Sequence, residues 1–311
     1  MTAATNRIVV RLPRPVDVSF AALGTTVRFI ATGPAADTAI EQASADVLAY
    51  HARLSRFRPD SELSALNADP RPVVPASPLL RDAVRAALWA AAFSGGLVDP
   101  SLLDALVAAG YGRSYERPST VPVPSGPRVA ARPDPAHRWR EIRVDDVKGT
   151  IERPPGLRLD LGGSGKGHAA DIAARRFAGC RNWVVDCGGD IRIGGTRRVE
   201  IAHPLRPEPA AEIVVTNGSV ATSSVVSRAW RTADGRPAHH LLDPSTRRPV
   251  RSGLLSATAL APTTLHAETV AKVALMLGPG PARTVLAVHG GVLVHEDGAV
   301  EMIEHAGEAA A

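Results

Sequence analysis

The residues with most chemical promise lie between Leu157 and Ile172, in LRLDLGGSGKGHAADI. Its four glycines let the backbone approach a ligand closely, and the helix that follows presents free N–H groups and a positive dipole end to an anion. Lys166 adds a full positive charge. A plain reading stands beside this one: a tight strand-to-helix turn whose glycines serve only packing. A phosphate loop is excluded, because GxxxxGK[ST] needs glycine where Asp160 stands and serine or threonine where Gly167 stands. A dinucleotide fingerprint fits better. Gly165, Gly167 and Ala170 match GxGxx[GA], and Asp186 follows 21 residues after Gly165. That reading makes the chain a nicotinamide-dependent dehydrogenase.

Composition narrows the class. With 311 residues and 45% hydrophobic content there is ample material for a core, and at 4% aromatics that core must come from Val, Leu, Ile and Ala. The net charge of +5 suits an anionic small molecule. The arginines are scattered rather than gathered in a stripe, which argues against nucleic acid. Arg11, Pro13, Arg14 and Pro15 interrupt the apolar residues near the start, and no apolar run reaches the ~20 residues of a membrane helix. The expectation is a cytoplasmic protein. Cys180 and Cys187 match neither a CxxC pair nor a zinc site and read as buried thiols.

The elements around the central turn follow from periodicity. Residues 16–31 read as two short strands or one bulged strand around Gly24, and 35–57 as a helix. Asp60 or Ser61 can cap a short helix that Asn67 ends in a left-handed conformation. Ser77 and Pro78 open another, which Gly95 and Gly96 stop. A turn at Asp99-Pro100 precedes a short helix, and residues 117–136 form a Pro-rich insertion. Strands are expected at 139–145, 150–153 and 157–161, then a helix at 165–178 and a strand, turn and strand over WVVDCGGDIRIGG. Asn217-Gly218 signals a hairpin. Strands and turns continue to a helix at 263–277, a strand near Val285 and a hairpin at Asp297-Gly298. This order of elements favours α+β.

Eight motifs in order then resemble one family. LGTT (23–26), SRFRPDSELSALN (55–67), LVDPSLLDALV (97–107), LDLGGSGKGHAAD (159–171), VDCGGDIRIGG (185–195), VATSS (220–224), HHLLDPSTRRPV (239–250) and HAETVAKVALMLG (266–278) resemble the ApbE-type FAD:protein FMN transferases over nearly the whole chain. The resemblance implies an α+β, T-fold-related architecture of mixed sheets and packed helices, with two intimately joined lobes in a single domain spanning 1–311. It implies FAD as substrate, a protein acceptor carrying a target threonine, AMP as the leaving product and magnesium as helper.

The resemblance also assigns roles. Leu23, Phe57, Asp99, Ser101, Asp160, Gly162, Asp190, Thr222 and Ser223 match positions that bind the flavin nucleotide. Lys166 neutralises pyrophosphate charge, His240 has an ordinary pKa suited to accepting the hydroxyl proton, and Asp243 belongs with it in the catalytic set. Each has a structural reading too. Asp99 and Asp243 precede prolines, where aspartate initiates turns, Asp190 can close the Gly-Gly turn, Phe57 can be core, and His240 a bonded strand histidine with His239 beside it.

The metal positions depart from the family. A backbone carbonyl, an aspartate and a threonine are matched here by Gly163, Glu268 and Lys272. Two readings follow: the Lys272 ammonium takes the place of magnesium, or Glu268 and Lys272 form an ordinary helix ion pair worth about 0.3–0.5 kcal/mol. Ser224 and Arg247 replace two family glycines.

Overall fold

The computed structural model describes residues 14–113, 126–232 and 234–307. Its main sheet has eight strands, all paired antiparallel, whose spatial order is their chain order. They are β1 (Val16–Ala22), β2 (Thr25–Thr32), β3 (Asn182–Cys187), β4 (Ile191–Gly194), β5 (Ser219–Ser224), β6 (Leu254–Ala261), β7 (Gly291–His295) and β8 (Val300–Ile303). Alternation decides what each face meets. On β5, Val220 joins Ile193, Val292, Ile201 and Val215 under the antiparallel pair Thr196–Ala202 and Pro209–Thr216, while Ala221 points to the helices with Ala261 and Ala267.

Helices α1 (Ala36–Leu54), α5 (Gly165–Ala174) and α6 (Thr264–Leu277) pack on that second face, and α7 (Pro279–Leu286) packs against α6. Three further helices, α2 (Glu62–Ala68), α3 (Pro78–Phe93) and α4 (Leu103–Ala108), lie with a three-stranded sheet of Val73–Pro75, Thr150–Glu152 and Arg143–Asp145. Ser77 caps α3 through its side chain as expected, and of the two candidates for α2, Asp60 and Ser61, it is Ser61 that caps. The layer between α6 and the sheet is rich in alanine, with Ala221, Ala257, Ala259, Ala267, Ala271 and Ala274 among larger Leu and Val side chains, so backbones can approach closely. None of the described helices is long and apolar enough to cross a membrane.

Close approach is tightest at Gly167. A Cβ there would meet Thr264 O at 2.7 Å and Leu265 Cα at 2.8 Å, so α5 and α6 cross at this residue only because it has no side chain. Asp171, one turn on, accepts from the Thr264 and Leu265 N–H groups and caps α6. A Gly167→Ala chain is expected to lose roughly 1–3 kcal/mol, the usual overpacking cost. A fall in urea midpoint at unchanged slope checks this.

Several expectations are corrected. The alternative at Gly24 resolves into two strands joined by a two-residue turn, with Leu23 at φ 57° and Gly24 at φ 66°. Residues 157–161 alternate correctly, burying Leu157, Leu159 and Leu161, but form no strand. Leu159 N–H and C=O bond the Asn67 side chain instead of a neighbouring strand, and Asp160 N–H bonds Pro100 O. Asn67 therefore sits inside α2 as a tether, and Asp69 ends the helix.

Residues 138–141 are a 3-10 turn, leaving only Arg143–Asp145 as strand. Asn217 does take a left-handed turn, at φ 49°, but the strands it joins belong to two different sheets. Val285 lies in α7, and the strand begins at Gly291, after that helix. Of the Pro-rich stretch, residues 117–125 lie outside the described residues. Its remainder packs: Val129 and Ala131 bond Arg251 and Met276 backbones.

Candidate functional site

A cleft of about 300 Å³ opens where the central turn, the loop after α1, the loop before α4 and the segment at His240 converge. Leu23, Phe57, Asp99, Asp160, Gly162, Gly163, Lys166, His240 and Lys272 all line it. Leu23 holds its positive φ through a hydrogen bond from its N–H to His51 Nδ1. Such a conformation is costly for a branched side chain and marks positions fixed by their surroundings.

One wall is aromatic and apolar. Arg56 lies 4.1 Å from the Phe57 ring centroid and 4.7 Å from that of Tyr111, and Tyr111 stacks on Trp230 at 5.1 Å. Trp230 is fixed by its Nε1–H, which donates to Ala109 O at 2.9 Å. Arg56 is itself almost fully buried and pairs with Asp160. The other Asp160 oxygen accepts from Gly162 N–H at 2.7 Å. Asp160 thus ties the Gly-rich turn to the aromatic wall. Asp99 accepts from the N–H and hydroxyl of Ser101, both at 2.7 Å, and burial pushes its carboxyl up against those bonds.

The other wall is charged. Lys166 donates to Asp190 and lies 3.3 Å from Glu268 Oε1, the oxygen that Lys272 also meets at 2.8 Å. Glu268 Oε2 accepts from Gly167 N–H at 2.9 Å. Asp190 and Glu268 are each 1% exposed and sit behind the two lysines. Burial alone would neutralise Lys166, but the Asp190 and Glu268 carboxylates outweigh it and raise its pKa. Burial would likewise raise Glu268, yet Lys272, Lys166 and the Gly167 N–H hold it down. Burial dominates for Asp190, which is pushed up despite Lys166, and for Lys272, which is lowered despite Glu268. Asp190 Oδ1 has no hydrogen-bond partner among the described residues.

His240 faces this wall, and its expected ordinary pKa is corrected. Burial pushes it well below 6.5, and the nearby charges of Arg228 and Lys272 push it further. The imidazole is therefore neutral at pH 7. Its neighbour His239 donates from Nε2–H to Val250 O at 2.9 Å within the core and does not line the cleft.

Not every expected residue reaches the cleft lining. Ser101 supports Asp99, and Asp190 and Glu268 act from behind Lys166. Thr222 bonds Thr258 across β5 and β6 at 2.9 Å, and Ser223 is buried in the same strand. Asp243 is buried, and its Oδ1 accepts from Ser245 N–H, Ser245 Oγ and Arg132 N–H, closing the turn after His240. Residues the sequence reading missed are Arg56, Tyr111, Trp230 and Arg228. Each gains its place through partners distant in the chain, and only the basic residues of SRFRPD stand in a motif that could have flagged one of them.

The dehydrogenase reading fails on topology. Its fingerprint needs a parallel βαβ unit, but Gly165 and Gly167 follow no strand, the sheet is antiparallel, and Asp186 Oδ1 accepts from Gly189 N–H within its own turn.

The magnesium implied by the resemblance does not fit these donors. Both Glu268 oxygens are taken, one by two ammoniums and one by a backbone N–H. Magnesium needs near-octahedral oxygen ligands at about 2.0–2.1 Å, and an ammonium is no ligand. A dication beside Glu268 would also face both lysines, where each unit pair at 4 Å costs about 4 kcal/mol at an effective dielectric of ~20. Among the described residues no group of three or more His, Cys, Asp or Glu could hold a metal.

Known proteins share this arrangement of segments. The chain is 29% identical over 252 residues to the FAD:protein FMN transferase of Escherichia coli K12, covering 76% of this chain and 70% of that one. To the enzyme of the same name from Klebsiella pneumoniae strain 342 it is 30% identical over 248 residues, with the same coverage. Among solved structures, the ApbE protein of Thermotoga maritima superposes with a TM-score of 0.79 at 24% identity, covering 95% of this chain and 99% of that one. The Pseudomonas stutzeri flavinyl transferase ApbE gives 0.75 at 22%, covering 97% and 98%. The ApbE family profile matches residues 23–294, and the chain belongs to that family.

Proposed function

We propose that the protein transfers FMN from FAD to a threonine hydroxyl of an acceptor protein and releases AMP. The observation that carries this reading is a single cleft with an aromatic wall at Phe57 and Tyr111 and a cationic wall at Lys166, Lys272 and Arg228. A flavin ring suits the first and a pyrophosphate the second. In the transfer, the threonine oxygen forms a bond to the phosphorus of the FMN half as the bond from that phosphorus to the bridging oxygen breaks. AMP leaves with the bridging oxygen, and the hydroxyl proton passes to a base.

Phosphoryl transfer asks the protein mainly for positioning and charge stabilisation. Lys166, held by Asp190 and Glu268, supplies a fixed positive charge. The Gly162–Gly163 backbone leaves room for the phosphates, and Asp99 and Asp160 shape the floor. His240 is the base, with its lone pair free because the ring is neutral. Asp243 is a positioning residue that holds the turn behind it. Incubation with FAD and a flavin-acceptor protein is expected to leave fluorescence on the acceptor after denaturation. Tight FAD binding with no covalent labelling would instead identify a flavin-binding protein that has lost transfer.

A further inference from the structure

Lys272 is the cleft's least conventional group. It stands on α6 one turn after Glu268, its side chain is 9% exposed, and it still lines the cavity. Its Nζ lies 2.8 Å from Glu268 Oε1, so the carboxylate fixes where the ammonium sits. The same oxygen is 3.3 Å from Lys166 Nζ, which makes Glu268 a bracket for two cations facing one cavity. That bracket is itself braced. Gly167 N–H holds Glu268 Oε2, and Asp171 caps the first turn of α6 from α5.

An ordinary surface Glu–Lys helix pair has none of these features. Such pairs are solvated, loosely held and worth a few tenths of a kcal/mol. Burying such a pair costs desolvation that its own attraction only partly repays, and here the ammonium still reaches the cavity lining, where an anionic ligand would add to that attraction. The cleft already has an anion-oriented wall in Lys166 and Arg228. Lys166, Lys272 and Arg228 line the cavity whereas Asp190 and Glu268 do not, so an incoming anion meets the cationic groups before it meets either carboxylate.

Building on the FMN-transfer reading, we infer that the Lys272 ammonium does the work of a divalent cation, so this protein binds the FAD pyrophosphate without magnesium. Lys166 and Lys272 then flank the diphosphate as two fixed point charges. The negative charge that develops on the bridging oxygen as AMP leaves falls to them and to Arg228. Lysine suits that task, since it offers three donors on one compact charge and needs no fixed coordination number.

The test separates binding from transfer. FAD affinity of the full chain is measured by fluorescence titration in excess EDTA and in millimolar magnesium, and FMN transfer to the acceptor is followed under both conditions. Affinity equal within about twofold is the result expected. Affinity that falls tenfold or more in EDTA, or binding that appears only with magnesium, overturns the inference. Lys272→Thr, checked for an unchanged melting transition, is expected to bind FAD at least tenfold more weakly in EDTA. Parental affinity in that variant overturns the inference as well. If transfer is absent under both conditions while metal-independent binding persists, the transfer reading fails and the role of Lys272 stands.

Discussion

Replacing Lys166 with methionine is expected to reduce FMN transfer by about two to three orders of magnitude, the usual effect of removing one preorganised donor from a phosphate or oxyanion site. It also strips Asp190 of its direct ion-pair partner, while the other Asp190 oxygen is already unpartnered among the described residues. Breaking a buried pair on one side typically costs about 3–5 kcal/mol. Glu268 is spared, since Lys272 and Gly167 N–H still hold it.

The stability loss has a pH signature. Burial holds the Asp190 carboxyl above its ordinary value despite the attraction of Lys166, and removing Lys166 raises it further. A carboxyl whose folded pKa lies above its unfolded value favours the native state at low pH and penalises it as pH rises between the two values. The variant therefore loses least at pH 4 and most at pH 8. Urea midpoints of parent and variant across that range check the prediction. A penalty independent of pH would show that Asp190 is not the group left exposed to the loss. Lys166→Arg, which keeps the charge, is expected to recover stability more than activity, because a guanidinium cannot occupy the same compact position.

How much of this was readable beforehand depended on whether a residue's role is local. Ser61, Ser77 and Pro78 act within one helical turn, so their spacing alone placed α2 and α3. The Gly-rich turn was equally legible, because glycines and Lys166 announce close approach and charge within a few residues. Residues 157–161 misled for an instructive reason. Their alternation reports burial correctly, but burial does not say whether the backbone partner is a strand or the side-chain amide of Asn67, 92 residues away in sequence. Glu268 and Lys272 carried the opposite ambiguity. Their i,i+4 spacing fits a trivial surface pair, but in the fold both are buried, with Lys272 lining the cleft and Glu268 behind it, bonded to Gly167 N–H of α5. His240 shows the same limit for electrostatics: an ordinary imidazole in the sequence becomes a weakly basic one through burial, with Arg228 and Lys272 adding to the effect.

That weak basicity yields the second large effect. His240→Gln is expected to lower FMN transfer by about 10²–10⁴-fold, the range for losing a positioned general base. FAD affinity should change far less, since a neutral imidazole contributes little to binding an anion. In the parent, kcat/KM reports the free enzyme, so the acid limb should lie well below pH 6.5, where His240 begins to take up a proton. Bound FAD brings negative charge against Arg228 and Lys272 and offsets the part of the depression that their repulsion adds to burial. The limb in kcat should therefore lie at higher pH than the limb in kcat/KM, and the base becomes stronger once substrate is in place. Lys272→Thr removes one of the depressing charges and is expected to raise the kcat/KM limb too. An acid limb that survives unchanged in His240→Gln would assign the proton to another group. A base tuned in this way stays unprotonated while the cleft is empty and gains basicity only when an anion arrives, which ties proton removal to the presence of the phosphorus that the threonine oxygen attacks.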